Sequence, residues 1–244
     1  MEWREQDDVR WLEAELPGAK AAFSTRVGGV SEAPYDALNV AIMTGDERDS
    51  VRENRGRLAG ALGRDPDGVV IGLQVHGTEL SKHEEPLEPR VYADVVKSPD
   101  EVDAHSTTSP ELTPFVMVAD CLPVAMAGPG GVAMAHCGWR GLAGGIVPKA
   151  VAAVGAEAAA IGPGIGPCCY EVGDEVLAEF DDLDGVAKGR MLDLPAVATA
   201  LLEGAGVSAS ESAGLCTKCN PDLFYSHRRD GERTGRQAGL VWMD

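Results

Sequence analysis

Three short apolar runs in the middle of the chain, residues 115–118, 123–127 and 132–135, constrain its fold more than any other feature. Each is too short for an amphipathic helix and is bounded by turn residues, the pattern of a buried strand. The breaks are Ala119-Asp120-Cys121 and Gly128-Pro129-Gly130-Gly131, and the second is a strong turn signal, so the runs read as neighbouring strands. Helices surround them in the sequence. Residues 49–68 open on a Ser50/Glu53 capping box and place Val51, Leu58 and Leu62 on one face. Residues 141–154, the Val172–Phe180 pattern (Val172, Val176, Leu177, Phe180) and residues 195–205 read as three more. Further strands are expected at 69–75 and 158–161, and a hairpin where 224–227 and 237–242 flank Asp230-Gly231. The polar, proline-broken stretch 81–101 reads as a surface excursion. No repeat, linker or change of composition divides the 244 residues. The expectation is one domain over 1–244, α/β, with a mixed sheet and flanking helices.

Charge narrows the function. The chain carries 21 Lys+Arg against 39 Asp+Glu, a formal net charge of −18. Such a body repels phosphate backbones, and aromatic residues at 5% supply few stacking platforms, so nucleic acid is not an expected partner. The charged N-terminus lacks the apolar region of a secretory signal, and no run approaches the roughly 18 apolar residues of a membrane helix. The reading is a cytoplasmic protein without membrane contact, in which the six Cys stay reduced.

Motifs for phosphate loops are absent. Gly162, Gly164 and Gly166 are spaced G-x-G-x-G and stopped by Pro167, which suits a tight turn better than a dinucleotide site. His76, Cys121 and His136 each stand where an expected strand ends. Two imidazoles and a thiolate form a three-ligand zinc set with an open fourth position. Their separations of 45 and 15 residues match no local zinc motif, so two core histidines and a buried thiol remain an alternative. A third reading makes Cys121 a nucleophile, His136 its base and Asp120 an orienting group. Cys216 and Cys219 have C-x-x-C spacing; a structural metal there needs Cys168 or Cys169 brought in by the fold, and otherwise all are ordinary thiols. Arg26, Arg140 and Arg228 lie in glycine-rich or turn contexts suited to anions, and each could equally be a surface ion pair. Asn39 could read a base or sugar, or cap a turn.

Taken in order, the runs QVHG (74–77), VADCLPVAMA (118–127), AHCGWRGLAGG (135–145), IGPGIGPCCYEVG (161–173) and CTKCNPDLFYSHRRDGERTGRQAGLV (216–241) resemble a known family. It is the laccase-domain family of purine nucleoside phosphorylases, also called peptidoglycan editing factors and formerly multicopper polyphenol oxidases. The resemblance implies His76, Cys121 and His136 as zinc ligands, with copper as a possible substitute. It implies a single domain similar to the cysteine-hydrolase-like fold of deamidating toxins, with Cys121 and His136 as catalytic residues. The implied activities are phosphorolysis of purine nucleosides and methylthioadenosine, and adenosine deamination. Arg26, Asn39, Arg140 and Arg228 are the substrate-binding candidates, and the expected partners are a purine nucleoside and phosphate, bound by a monomer. The alternatives are a cysteine-type amidase acting on a peptidoglycan precursor and, last, a copper-dependent phenol oxidoreductase, which the absence of any His-x-His pair disfavours. Two departures stand out: Cys137 adds a thiol beside the third ligand, and His105 could be a competing fourth one.

Overall fold

A computed structural model describes residues 1–98 and 100–244. The chain begins with β1 (Glu2–Gln6), β2 (Val9–Leu16) and β3 (Ala19–Ser24), then forms helix α1 (Arg48–Ala61). Strands β4 (Val69–Val70), β5 (Leu80–His83), β6 (Ala104–Thr107), β7 (Thr113–Val118), β8 (Leu122–Gly128) and β9 (Gly131–Cys137) follow. The remainder runs α2 (Trp139–Ala143), α3 (Ile146–Val154), β10 (Ala158–Ile161), α4 (Asp174–Leu177), β11 (Ala187–Lys188) and β12 (Met191–Leu192). It closes with α5 (Leu194–Gly204), β13 (Ala209–Ser212), α6 (His227–Asp230) and β14 (Gln237–Met243).

Two six-stranded sheets take the place of the single mixed sheet expected. Their orders are β1-β2-β3-β14-β7-β4 and β13-β10-β8-β9-β6-β5. Both are antiparallel at the centre and gain parallel pairs only at edges, β4 on β7 in the first sheet and β5 on β6 and β13 on β10 in the second. Leu12, Phe23 and Val116 of one sheet and Ala125, Val132 and Met134 of the other pack in one cluster, so the sheets face each other. Residues of α3 and α5 cover the outer face of the second sheet, and residues of α1 that of the first. The result is a mixed α/β fold in four layers.

Strand alternation explains the placement of the chemistry. Along β9, Val132 and Met134 point into the gap between the sheets, whereas Ala133, Ala135 and Cys137 point to the helices. With a side-chain period of two, His136 falls on the gap side at the strand's end. Cys137 therefore lies in the helix-side core, away from His136, and burial pushes its thiol above the usual range.

Several local expectations change. Helix α1 is capped at Glu47 without a side-chain bond and Ser50 sits inside it, so no capping box forms. The chain from 69 leaves the sheet after Val70, and Val75 is 46% exposed. Residues 141–154 break into two helices at Gly145, whose φ is +90°. The terminal hairpin is absent. Ser226 accepts a bond from the Arg229 amide (3.2 Å) and starts α6 instead. Strand β14 then inserts between β3 and β7, where burial on both faces suits a central strand.

The stretch 81–101 contains a buried anchor. Val91, Tyr92 and Val95 are almost fully buried, and Arg55 of α1 reaches the first two through the core. Its guanidinium donates to the carbonyls of Val40 (2.8 Å), Val91 (3.1 Å) and Tyr92 (2.9 Å), and lies over the Tyr92 ring. Arg55→Met keeps the apolar stem and strands these carbonyls. A cost of roughly 3–5 kcal/mol is expected, because each buried group left unpaired loses its full desolvation compensation. Urea unfolding should show an earlier midpoint at an unchanged slope; an unchanged midpoint would contradict the anchoring role.

Candidate active site

The site forms where three chain segments end at the mouth of the gap between the sheets. The first arrives beyond β4. Here the carboxylate of Asp103 accepts the amides of Val75 (3.1 Å), His76 (3.0 Å) and Gly77 (2.8 Å). Gathering three successive N–H groups on one anion bends the chain and holds His76 at φ +62°, a left-handed conformation uncommon for a side-chain-bearing residue. The second segment is the β7–β8 turn, where Asp120 at φ +91° precedes Cys121. The third is the end of β9. The His136 amide donates to the Asp103 carbonyl (2.8 Å), and its ring Nδ1 meets the Asp103 carboxylate (2.8 Å). That bond assigns the proton to Nδ1 and leaves Nε2 free to turn toward Cys121.

One ligating atom from each of His76, Cys121 and His136 lies within 4.8 Å of the others, and the two rings meet edge to face. The cluster depends on Gly138: a Cβ there would stand 3.0 Å from Cys121 Sγ and 3.1 Å from His76 Cδ2. Burial alone would raise the Cys121 thiol, but the charge of His136 and hydrogen bonds from both histidines outweigh it and bring the thiol down to about 6. Burial opposes the charge of His136 as well, yet Cys121 and Asp103 raise it to about 9. Asp103 stays below the usual carboxylate range, since its bonds to His136 and the amides overcome its burial. Without an ion the pair is a thiolate beside an imidazolium. As a donor set, two imidazoles and a thiolate suit a borderline-soft divalent metal, with a carboxylate orienting one imidazole from behind.

A cavity of 480 Å³ opens over this cluster, inside the range of small-molecule sites. Met43, Met117 and Ile165 give it apolar wall, and Arg140, Arg228 and Arg236 give it cationic wall. Among the described residues, none of these three guanidinium groups has a carboxylate oxygen within 4.0 Å. Arg140 lies over the Trp139 ring and Arg228 over Tyr170, which also lines the cavity.

The sequence candidates divide. His76, Cys121, His136, Arg140 and Arg228 meet in the cavity, whereas Arg26 and Asn39 are used elsewhere. The Arg26 guanidinium pairs with Asp36 (3.2 Å), donates to the Pro221 carbonyl (3.2 Å) and stacks on Tyr225. Asn39 is fully buried, donating to Asp46 (2.8 Å) and accepting from the Arg236 amide (2.9 Å). Asp120 orients no imidazole. Its carboxylate accepts from Thr217 Oγ1 (2.6 Å) and the Arg228 amide (2.6 Å). His105 is no competing ligand, because Nε2 accepts from the Gly72 amide (3.0 Å) and Nδ1 faces His83 (3.0 Å). Burial, reinforced by His83, brings it down to about 3, so it stays neutral. Sequence reasoning missed Asp103 as a site residue and Arg236 altogether. Arg236 sits in the quoted Thr234-Gly235-Arg236 run, but nothing local marks it as facing a cleft.

Fold and site together define a mixed α/β protein with a cleft whose three donors could hold a metal ion. A family model described as multi-copper polyphenol oxidoreductase laccase matches residues 20–244. The purine nucleoside phosphorylase YfiH of Escherichia coli is 37% identical over 93% of this chain and 94% of its own. A purine nucleoside phosphorylase of Streptomyces coelicolor is 39% identical over 93% and 96%. The crystal structure of YlmD from Geobacillus stearothermophilus superposes with a TM-score of 0.87 at 32% identity, covering 99% of this chain and 98% of the other. The chain belongs to this laccase-like family.

Two outcomes follow from the geometry. Asp103→Asn keeps the size but weakens the anion that gathers three amides and orients His136, so divalent-metal affinity should fall about 10–100-fold in a competition titration. Retained affinity would remove Asp103 from the site's support. In metal-free protein, alkylation of Cys121 should rise through a midpoint of about pH 6, because the thiolate is the reactive form. Added metal should suppress it. A midpoint near the ordinary thiol value of 9.0 would show that the ion pair does not form.

Proposed function

We propose that the chain is a metal-dependent purine nucleoside phosphorylase, which uses inorganic phosphate to convert a purine nucleoside to free base and ribose 1-phosphate. The observation that carries this reading is the conjunction in one cleft of the three-donor cluster with three arginines free of carboxylate partners. The names of the relatives support it. His76, Cys121 and His136 would hold the ion, zinc by preference and copper as a substitute, since mixed imidazole–thiolate sets suit both. When bound, the ion supplies Lewis-acid polarisation of a substrate oxygen and activation of water.

The protein's own groups do the rest. Arg140, Arg228 and Arg236 offset the phosphate charge and hold it for attack on the anomeric carbon. Met43, Met117 and Ile165 provide the apolar contact a purine needs. A phosphate oxygen bonds to the anomeric carbon as the glycosidic bond breaks, and the base leaves with that electron pair and takes a proton. Methylthioadenosine fits the same reading, and deamination of adenosine would use water at the same cleft. A cytoplasmic setting suits an enzyme dependent on a free thiolate. Among the described residues, no helix is long and apolar enough to cross a membrane.

A specific observation also favours a second reading. Cys121, His136 and Asp103 have the nucleophile, base and orienting-group arrangement of a cysteine hydrolase, which would suit an amidase acting on a peptidoglycan precursor. A multicopper oxidase has no such support. His83 and His105 are turned on each other, and only His76 and His136 join a candidate metal group among the described residues.

The deciding experiment supplies inosine with and without phosphate. Hypoxanthine should form only with phosphate, disappear on chelation and return with zinc. Arg228→Ala and Arg236→Ala should each raise KM for phosphate about 10–100-fold, the loss of a charge-assisted contact, with less effect on KM for the nucleoside. Absence of hypoxanthine, or base release that ignores phosphate or chelation, would sink the proposal.

A further inference from the structure

Outside the cleft, the fold converges four thiols that the proposed reaction does not use. We propose that Cys168, Cys169, Cys216 and Cys219 form a second metal site, a closed structural centre for zinc(II).

The argument begins with distance. The four sulfurs all lie within 4.8 Å of one another, and Cys219 Sγ stands 3.6 Å from Cys168 Sγ and 3.4 Å from Cys169 Sγ. Four thiolates at the usual zinc–sulfur length of about 2.3 Å form a tetrahedron with edges of about 3.8 Å. Two of the six edges, at 3.6 and 3.4 Å, are close to this length, and none exceeds 4.8 Å. All four are free thiols, with no disulfide joining any of them. Core packing does not account for the cluster either, since Cys168 and Cys219 are exposed.

Local backbone supports the same conclusion. Cys216 and Cys219 are a C-x-x-C pair, and the second pair comes from the turn after Gly166. The Gly166 amide donates to Cys216 Sγ (3.3 Å), the kind of outer contact that steadies a ligating thiolate. A Cβ on Gly166 would stand 3.3 Å from Cys216 Cβ and 3.6 Å from Cys168 Sγ, so glycine lets the loops close on each other. The Thr217 amide bonds to the Gly164 carbonyl (2.9 Å), and Asn220 Nδ2 bonds to the Cys216 carbonyl (2.8 Å). Four sulfur ligands leave no open position, which makes the site structural. Its place gives it a task. One loop carries Ile165 and Tyr170 of the cavity wall, and the other carries Thr217, whose hydroxyl holds Asp120 beside Cys121. The ion would clamp these two loops together.

The test uses His76→Ala/His136→Ala, which leaves all four thiols intact and disables the other cluster. Purified in reductant and loaded with zinc, wild type should hold two ions per chain and the double variant one. Zinc-edge X-ray absorption of the double variant should show four sulfurs at about 2.3 Å, and cobalt(II) should give the charge-transfer spectrum of a tetrathiolate. Adding Cys219→Ser to the double variant should abolish that spectrum. A double variant that binds no zinc, a nitrogen- or oxygen-rich shell, or a disulfide among the four found by mass after alkylation would each overturn the proposal. None of these outcomes depends on phosphorylase activity.

Discussion

The buried carboxylate of Asp103 is the interaction on which the site depends. An isolated anion in this position would be costly, and here three amides and an imidazole compensate it. The same bonds bring together segments 27 and 33 residues away in sequence, at His76 and His136. They hold His76 in a conformation its side chain disfavours and keep a proton on Nδ1 of His136, so that Nε2 is the nitrogen turned to Cys121. Because the carboxylate serves both histidines, their separation is set by one group and not by two independent loops. Asp120 plays the parallel part on the other side, tying Thr217 and the Arg228 amide to the turn that presents Cys121.

The sheets supply the rigidity that these bonds need. Cys121 and His136 flank Leu122 and Cys137, which are direct partners in the β8–β9 register, so two of the three donors ride on one antiparallel pair. Core residues on both faces of that pair keep it from shifting. His76 has no strand beside it, and the Asp103 carboxylate spends three bonds on the segment that carries it, at Val75, His76 and Gly77.

Legibility in the sequence followed the range of the interactions involved. The central strands were readable because burial on both faces gives short unbroken apolar runs, and the donors could be picked out because each stands beside such a run. Pairing was not readable. Nothing local shows that 115–118 joins a different sheet from 123–127, since strand partners are chosen by long-range packing. Arg55 escaped notice for a similar reason. A charged residue on a helix face looks solvent-facing until the three carbonyls it meets are known, and without it the polar stretch 81–101 reads as surface. Asn39 and Arg236 nearly exchange roles: the residue singled out is a buried brace, and the one it braces faces the cleft.

The net charge of −18 opposes an anionic ligand at long range. At physiological ionic strength, however, the field of exposed carboxylates fades beyond a screening length of about 8 Å, while groups in direct contact with a ligand are screened far less. What matters at the cleft is therefore local. Its wall contains one carboxylate, Asp120, and that group is occupied by Thr217 and Arg228. Among the described residues, the three cavity arginines have no acidic partner within 4.0 Å, although acidic residues outnumber basic ones almost two to one in the chain as a whole. Arg26 shows the alternative, a guanidinium neutralised by Asp36 and shelved against Tyr225. In so acidic a protein, three cavity arginines with no carboxylate within 4.0 Å among the described residues support the proposed reading, in which phosphate supplies that negative charge.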